Sequence, residues 1–535
     1  MKTISHESLI TALQQKQAYD HPVENISLHE THISWVFLTG PYAYKLKKPV
    51  NFGFLDFSTL EKRKHYCEEE VRLNGRLAPR IYLDVVPICG STSSPVINGQ
   101  GTVLEYAVKM RQFDTGQEFD ELLAREKVTK EHIDETAQVL ADFHAGIATA
   151  DEHSPFGTPA AIQQPVLENF EQIYQLGNDW LSQLELKEPL EQLRQWSKNQ
   201  YHKLEGTLQK RKRNGFIREC HGDLHLRNIV IYEGRVTPFD GIEFNPNLRW
   251  IDVMSELAFL LMDLDDHHRS DLSCRLLNNY LRLTGDYAGL SVLRFYQVYR
   301  AMVRAKVAGL QLLQSANKPD SKNDSLIQEI GNYIKLAFQY TQTTTPKLII
   351  SHGLSGSGKT TLSGLLLEQK LPKQGYIIRL RSDVERKRLF GLSETTRKNS
   401  GINKGIYTKE ASQQTYKSLL LLTGNIIKAG FSVIVDAAFL KKYQRQPFYD
   451  LAKELNIPFL ILHSKSDMEV QHQRLRVRQQ QNQDASDANN EVLNQQHNQY
   501  EPLTNAEKNI SVTVNTTHSA DLSEVVAWLE NIQAP

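Results

Sequence analysis

Two stretches of the chain carry groups that commonly handle phosphate and metal ions. The first reads HGDLHLRNIVI at 221–231, and the second reads GLSGSGKT at 353–360. In the first, Asp223 and Asn228 stand five residues apart, so a carboxylate can orient an acceptor hydroxyl while an amide oxygen holds magnesium. The second is a complete G-x-x-x-x-G-K-[ST] motif, whose backbone amides cradle phosphate. Each stretch predicts part of an ATP site.

A site built on the first stretch also needs a lysine for the phosphates and a helix glutamate that anchors this lysine. The predicted strand YAYKLKKP offers Lys45, with Lys47 on the same face as the alternative. The charged helical run CEEEVRLN offers Glu70. We prefer Glu70 to Glu69 because it lies one turn before Asn74 on a helix whose leucines face inward.

A predicted hairpin adds a second carboxylate to the same place. The run Ile229–Ile231 forms its first strand, EGR its turn, and VTPF a second strand that ends at Asp240. Asp240 would then lie beside Asn228. The lysine strand, acidic helix, catalytic loop and second carboxylate follow one another in the order that a phosphoryl-transfer site requires, which favours one site over four unrelated features.

These motifs resemble the aminoglycoside phosphotransferase branch of the protein-kinase-like fold. The resemblance rests on HGDLHLRN, FDGIEF, WIDVMSELAFLL and LADFHA, and it covers about residues 30 to 340. It implies a catalytic base, two magnesium ligands and a lysine–glutamate pair, which are respectively Asp223, Asn228 with Asp240, and Lys45 with Glu70.

Three features around the first stretch stay open. No G-x-G-x-x-G motif occurs between Thr31 and Lys45, so the sequence does not indicate what covers the phosphates. His225 either lines the site or packs beside it. Asp252 either caps the following helix or braces the catalytic loop, and we favour a structural role.

The second stretch lies between a predicted strand, KLIIS, and a predicted helix, TLSGLLLEQ, which is the context that a phosphate-binding loop requires. We expect Lys359 to reach the terminal phosphates and Thr360 to bind magnesium. The predicted nucleotide-binding residues of this loop are Gly353, Ser355, Gly356, Ser357, Gly358, Lys359, Thr360 and Thr361.

The surroundings of this loop resemble small P-loop kinases of the gluconate kinase, chloramphenicol phosphotransferase, zeta toxin and polynucleotide 5′-kinase type. The resemblance rests on RSDVERKRLFG after the strand YIIRL, on FSVIVDAAFL and on QRLRVRQ. It implies that Asp383 is the base, that Arg386 contacts substrate, and that Arg474 and Arg478 are lid residues. Asp436 assists magnesium, touches substrate, or only ends a buried strand.

Length and motif order together predict a multidomain α/β and α+β chain. A chain of 535 residues exceeds what one core usually organises. We expect a two-lobed protein-kinase-like fold at 1–340, a linker at 341–347, and at 348–535 a P-loop NTPase with a parallel sheet flanked by helices. The tandem resembles bacterial proteins described as bifunctional aminoglycoside phosphotransferase-like and AAA-type P-loop ATP-binding proteins.

Composition narrows the class of partner and the compartment. Lys plus Arg and Asp plus Glu both total 62, so the net charge is zero and no global field attracts nucleic acid or an anionic membrane. The N-terminus lacks an apolar signal core, and no run is long and apolar enough to span a bilayer. Four scattered cysteines predict reduced, buried thiols. We therefore expect a cytoplasmic protein.

The sequence as a whole predicts an ATP- and Mg²⁺-dependent phosphotransferase with two nucleotide sites, each transferring the gamma-phosphate to a hydroxyl of a small molecule. One alternative is that one domain, with the N-terminal one favoured, is a nucleotide-binding regulatory module. Another is that the P-loop domain acts as a polynucleotide 5′-kinase. The acceptor, the coupling between domains and the oligomeric state stay open.

Overall fold

The computed structural model describes residues 6–53, 55–176, 178–315, 322–342, 344–369, 375–394, 396, 405–481 and 488–531. The chain forms two compact units. The first comprises Met1–Asp263 and Phe295–Ile334, and the second comprises Leu264–Arg294 and Lys335–Pro535.

The strands of the described residues, in chain order, are β1 Ser27–Glu30, β2 Ser34–Leu38, β3 Tyr42–Lys47, β4 Tyr82–Ser91, β5 Ser94–Ile97, β6 Val103–Arg111, β7 Ile217–Glu219, β8 Ile229–Tyr232, β9 Arg235–Pro238, β10 Trp250–Asp252, β11 Leu348–His352, β12 Ile377–Arg381, β13 Ser432–Asp436, β14 Phe459–Lys465 and β15 Ser511–Asn515.

The helices up to the predicted linker are α1 His6–Leu13, α2 Leu60–Asn74, α3 Phe119–Ala124, α4 Lys130–Gly146, α5 Pro159–Leu176, α6 Asn178–Gln183, α7 Lys187–Arg213, α8 Pro246–Arg249, α9 Val253–Asp266, α10 Ser270–Thr284, α11 Leu290–Ser315 and α12 Lys322–Thr341. Those beyond it are α13 Lys359–Leu367, α14 Ser382–Leu389, α15 Lys409–Lys428, α16 Lys442–Glu454, α17 Met468–Gln481, α18 Asn490–Gln499, α19 Asn505–Lys508 and α20 Ser523–Asn531.

The first unit begins with a six-stranded antiparallel sheet in the order β1-β2-β3-β6-β4-β5. Strand β3 explains how this sheet serves a site, because successive side chains of a strand point to opposite faces. Tyr44 and Leu46 pack into an apolar core with Leu9 and Leu13 of α1, whereas Lys45 and the other alternate residues face the opposite side. The run ISWVFLTGPYAYKLKKPV at 33–50 predicts two strands joined by a turn at Gly40-Pro41, and β2 and β3 form this hairpin.

The prediction for the other half of this sheet was incomplete. The runs RIYLDVVPI and TVLEYAVKMRQF predict two strands that follow one another in sequence, with a turn at NGQG between them. These strands, β4 and β6, do pair, but the short strand β5 intervenes, and the NGQG turn connects β5 to β6. Strands β1, β7 and β10 were also not predicted, because runs of three or four residues carry little periodic signal.

The hairpin of β8 and β9 forms as the sequence predicts. Ile229 pairs with Pro238 and Tyr232 with Arg235, so the turn consists of Glu233 and Gly234. Both turn residues have positive φ, at 49° and 73°, which matches the twist that a two-residue hairpin needs. The strand after this turn leads directly to the predicted metal ligand.

Asp252 has a structural role, as we favoured. It ends β10, which pairs with β7, and its carboxylate accepts bonds of 2.6 and 2.8 Å from Arg211 and one of 2.9 Å from the Met254 backbone. These bonds fix the start of α9 against α7. Asp252 therefore supports the catalytic segment without being part of the site.

The second unit contains a five-stranded parallel sheet in the order β12-β13-β11-β14-β15. Strands β11 and β13 are buried along their whole length, which is typical of a parallel sheet covered on both faces. The carboxyl ends of parallel strands meet at one edge, and β11 leads there directly into the phosphate-binding loop.

Helix α10 belongs to this second unit, although it precedes the predicted linker. Asn278 donates to the Ile377 carbonyl at 2.8 Å and accepts from the Arg379 amide at 2.7 Å, so α10 covers the exposed edge of β12. The compact units thus differ from a single cut at 341–347. The predicted domain limits stay a prediction, and Thr343 of the linker lies outside the described residues.

The cysteines and the apolar character of the helices were both predicted from the sequence. All four cysteines are free and buried, as predicted. Among the described residues, no helix has the length and apolarity that crossing a membrane would demand.

The edge contact of α10 generates a stability prediction. We expect Asn278→Ala to expose the Arg379 amide to solvent exchange, because it removes two buried hydrogen bonds to β12 and leaves their backbone partners unsatisfied. The free energy that opens this edge should fall by about 2 kcal/mol. Hydrogen–deuterium exchange of the full chain checks this. Asn425→Ala, on the exposed face of α15, is the matched control, and equal exchange in both variants would contradict the assignment.

Candidate active sites

The predicted lysine–glutamate pair forms in the first unit. The Nζ atom of Lys45 lies 2.8 Å from Oε1 of Glu70 and 2.5 Å from Oδ1 of Asp240. Glu70 is fully buried, and burial favours its neutral form, but Lys45 and Lys47 outweigh this effect and lower its pKa to about 2. The structure thus brings together three predicted residues from a strand, a helix and the segment after the β8–β9 hairpin.

The second lysine of β3 is also bonded to Glu70. Lys47 donates to Oε2 at 2.7 Å and to Oε1 of Glu243, so both oxygens of one carboxylate are occupied by lysines. The Lys47 side chain is fully buried, whereas that of Lys45 is 13% exposed. Lys45 is therefore the lysine that can reach a ligand. Glu243 could not be assigned from the sequence, because nothing in FDGIEF indicates the direction of its side chain.

The catalytic loop holds its two predicted residues side by side. Asn228 donates to Oδ2 of Asp223 at 3.1 Å and to the Asp223 carbonyl at 2.9 Å. His225 lies 3.4 Å from the same carboxylate oxygen, so it lines the site. Burial favours the neutral acid, yet His225 lowers the pKa of Asp223 far below its usual value. Asp223 is thus ionised and suited to orienting a hydroxyl.

Buried polar groups behind this loop fix its backbone. The Gly222 amide donates to Glu256 at 2.7 Å, and its carbonyl accepts from Arg300 at 3.1 Å. Glu256 also bonds His144 at 3.0 Å, and Cys220 lies close to both. His144, Cys220 and Glu256 are residue types that bind metals, but the carboxylate already serves Gly222 and His144. The cluster therefore braces the loop.

Hard oxygen donors for magnesium come from Asn228 and Asp240. The Asp240 side chain is 45% exposed, and that of Asp223 is 36% exposed, so both face the open side of the site. Asp240 has a left-handed backbone with φ 59°, which turns its carboxylate toward Lys45. This donor set fits a magnesium ion, which would offset the negative charge of nucleotide phosphates.

A buried apolar cluster adjoins Lys45, which pairs with Val108 in the sheet. Ala43, Val108 and Met110 of the large sheet pack in one cluster with Val230 of β8. Phe113 meets Phe239 edge to face at 5.0 Å beside this cluster. The side chains of this cluster are buried against one another, so the cluster joins the large sheet to the β8–β9 hairpin and holds Lys45 in place.

The turn before β2 contains no glycine, in agreement with the missing G-x-G-x-x-G motif. Strands β1 and β2 are joined by Thr31–Ile33, and Thr31 accepts a bond of 3.0 Å from the Ser34 amide through its hydroxyl. Lys48 binds the Thr31 carbonyl and, at 2.6 Å, Glu30. Side chains and a lysine therefore tighten this turn without glycine.

The second site is the loop after β11, where glycines permit a tight backbone. Gly356 and Gly358 have φ of 78° and 91°, and a Cβ atom on Gly358 would lie 2.9 Å from the Thr516 hydroxyl. Helix α13 begins directly after it, so its N-terminal amides can meet phosphate. Thr516, at the end of β15, was not predicted because contacts between distant segments leave no local signal.

The remaining loop residues are held by their neighbours. The Gly353 amide bonds the Ala438 carbonyl at 3.2 Å, the Ser355 amide bonds Gln496 at 2.8 Å, and Ser357 bonds Ser464 at 2.6 Å. Thr360 and Thr361 lie in the first turn of α13, where Thr361 is exposed.

Lys359 has an unusual electrostatic environment, because its ammonium group is buried. Its ammonium donates to the Leu354 carbonyl at 2.7 Å, and burial lowers its pKa to about 8 despite the opposing charges of Asp436 and Asp383. Arg478 lowers that pKa further, which places its charge near the loop. A bound phosphate would offset the free-energy cost of burying the Lys359 ammonium group, so this lysine should bind phosphate strongly.

The two predicted carboxylates lie at the ends of neighbouring strands. Asp436 ends β13 opposite Arg381 of β12, is buried, and accepts a bond of 3.1 Å from Ser363. Asp383 follows Arg381 by two residues in the first turn of α14. Both carboxylates act on Lys359, so the sheet brings the predicted base and metal-assisting residue toward the loop.

The predicted arginines have different surroundings. Arg474 binds the Gly356 carbonyl at 3.3 Å and the Thr516 hydroxyl at 3.2 Å, so it holds the loop itself. Arg386 is buried and donates to the Ile406 carbonyl at 3.0 Å and to Ser412 at 3.1 Å. Arg445 pairs with Glu507 at 2.6 Å and is structural.

Comparisons with known proteins identify one matching domain family and several similar chains. Residues 348–503 match the AAA domain family, so the C-terminal part of the chain carries an AAA-type P-loop domain. Uncharacterised proteins of Mycobacterium tuberculosis and Mycobacterium bovis are 28% identical over 469 residues, which cover 87% of this chain and 89% of each relative.

Solved structures match each part separately. Choline kinase from Cryptosporidium parvum is 10% identical, with 62% of this chain and 94% of that chain covered and a TM-score of 0.38. An ADP-bound aminoglycoside phosphotransferase is 12% identical, with 63% and 99% covered and a TM-score of 0.33. Kti12 from Chaetomium thermophilum, in complex with ADP-AlF3, is 18% identical, with 34% and 94% covered and a TM-score of 0.26.

The lowered pKa of Lys359 predicts proton uptake on nucleotide binding. At pH 8.5 much of the free lysine is neutral, and phosphate favours the ammonium form, so binding of Mg-ADP should take up roughly half a proton or more. Uptake should fall toward zero at pH 7. Calorimetry in buffers of different ionisation enthalpy measures it. Lys359→Arg keeps a permanent charge, and undiminished uptake in that variant would contradict the assignment.

Proposed function

We propose that the chain is an ATP- and Mg²⁺-dependent phosphotransferase with two separate sites, each transferring the gamma-phosphate to a hydroxyl of a small molecule. The observation that carries the proposal is the contact of Lys45 with both Glu70 and Asp240, next to Asp223 and Asn228. Phosphoryl transfer needs these residue types, and their order along the chain supports the same conclusion.

In the first site, we assign Lys45 to the nucleotide phosphates and Asn228 with Asp240 to magnesium, which would neutralise charge on the transferred group. Asp223 would align the acceptor hydroxyl and accept its proton as the bond from its oxygen to the gamma-phosphorus forms and the bond from that phosphorus to ADP breaks. A carboxylate of such low pKa is a weak base, so its contribution is chiefly orientation.

In the second site, the amides at 353–360 and the side chain of Lys359 would hold the phosphates, and Thr360 would bind magnesium. Asp383 would take the acceptor proton. Arg478 would stabilise charge on the transferring group, while Arg386, behind Asp383 in the same helix, is assigned to the acceptor side.

A regulatory role of the first unit is the second candidate. The observation that favours it is the glycine-free turn Thr31–Ile33, because close backbone approach to phosphates usually relies on glycine. Phosphorylation of nucleic acid ends by the P-loop domain is less favoured, since the chain has no net charge. We also propose a small-molecule acceptor and a cytoplasmic location.

The test is a metabolite-pool screen with labelled ATP on the full chain and two single-site variants. Asp223→Asn should abolish one set of phosphorylated products, and Lys359→Ala should abolish another, because each removes a group from one site only. We expect losses of about 100-fold or more. Products unchanged by Asp223→Asn would favour the regulatory role of the first unit. Labelled oligonucleotides lost with Lys359→Ala would favour the nucleic-acid alternative.

A further inference from the structure

The first unit carries a second lysine–glutamate contact that the phosphoryl-transfer scheme does not require. We propose that Lys47 and Glu243 form a positioning pair, which fixes Glu70 and the magnesium-binding segment relative to each other. This inference rests on the proposed function of the same site. Neither residue is assigned to contact nucleotide or acceptor.

The geometry of Glu70 is the first argument. Lys45 and Lys47 are two residues apart on β3, so both side chains leave the same face of the sheet. Each takes one oxygen of the Glu70 carboxylate, at 2.8 and 2.7 Å. A carboxylate held at both oxygens cannot rotate freely, so Lys47 fixes the orientation that Glu70 offers to Lys45.

The position of Glu243 is the second argument. It follows Asp240 by three residues, and the segment between them is bonded to two other elements. The Gly241 amide donates to Asn74 of α2 at 2.7 Å, and the Ile242 amide donates to the His221 carbonyl at 2.9 Å. The Glu243 contact with Lys47 adds a direct bond to the lysine strand.

Burial distinguishes this pair from the ligand-reaching lysine. Lys47 has no exposed side-chain surface, and Glu243 is 5% exposed, so a nucleotide can meet Lys45 but not Lys47. Ions buried so deeply persist only when partners satisfy them. The pair therefore acts through other residues, and its effect should appear in how well Asp240 is placed for magnesium.

The experiment measures ADP affinity by calorimetry, with and without Mg²⁺, on the full chain carrying Lys359→Ala. That background removes the lysine of the P-loop site, so the first unit dominates binding. Adding Glu243→Gln should reduce the Mg²⁺-dependent gain in ADP affinity about tenfold, as loss of a positioning residue behind a metal ligand typically does. Affinity for ADP without metal should stay within about twofold.

A matched control comes from the same sheet. Glu105 is also a buried carboxylate and pairs with Arg63 at 2.8 Å, outside the site. Glu105→Gln should lower the thermal midpoint but leave the Mg²⁺-dependent gain intact. If Glu243→Gln does the same, its role is only structural and the inference is wrong. If the parent shows no Mg²⁺-dependent gain in the first unit, the proposed function of that site fails, and the inference with it.

A variant with one unpaired buried charge can fail to fold. The double variant Lys47→Gln, Glu243→Gln leaves neither charge alone and keeps the contact of Glu70 with Lys45. The same tenfold loss of the Mg²⁺-dependent gain is expected for it. A folded double variant with the full gain would overturn the proposal.

Discussion

The first unit depends on placing the Glu70 carboxylate between two lysines beneath a sheet. An ionised carboxylate in this position is tolerated only because cations occupy both of its oxygens. This requirement explains why α2 must present Glu70 toward β3 and why the segment after β9 must bring Asp240 and Glu243 to the same place. The sheet, the helix and the segment after β9 are thus held together by one ion network.

The two lysines that we propose to bind phosphate have opposite electrostatic surroundings. Lys45 is paired with carboxylates before any nucleotide arrives, and these charges raise its pKa. Lys359 lies in a glycine-rich loop where burial lowers its pKa, so its charge is stabilised when phosphate binds. Under the proposed function, nucleotide binding in the first unit would replace the contact of Lys45 with Asp240, whereas binding in the second would relieve the cost of burying the charge of Lys359.

The structural features that depend on local residue spacing could be predicted from the sequence. The strand of Lys45, the helix of Glu70, the β8–β9 hairpin and the P-loop all follow from periodicity or short motifs. It could not predict Glu243 or Thr516, because their contacts join segments far apart in the chain. Nor could it predict that α10 covers β12, because a helix pattern indicates an apolar face but not the surface it meets. Several site assignments, including Arg386 and Asp436, stay predictions.

The account is tested most directly by a crystal structure of the full chain with Mg²⁺ and a non-hydrolysable ATP analogue. We predict that the analogue occupies the first unit, that Lys45 contacts its phosphates, and that Asn228 and Asp240 bind magnesium at about 2.1 Å. The Lys47–Glu243 contact should persist. A structure in which Lys45 and Asp240 stay paired, with nucleotide only at the P-loop, would contradict the account.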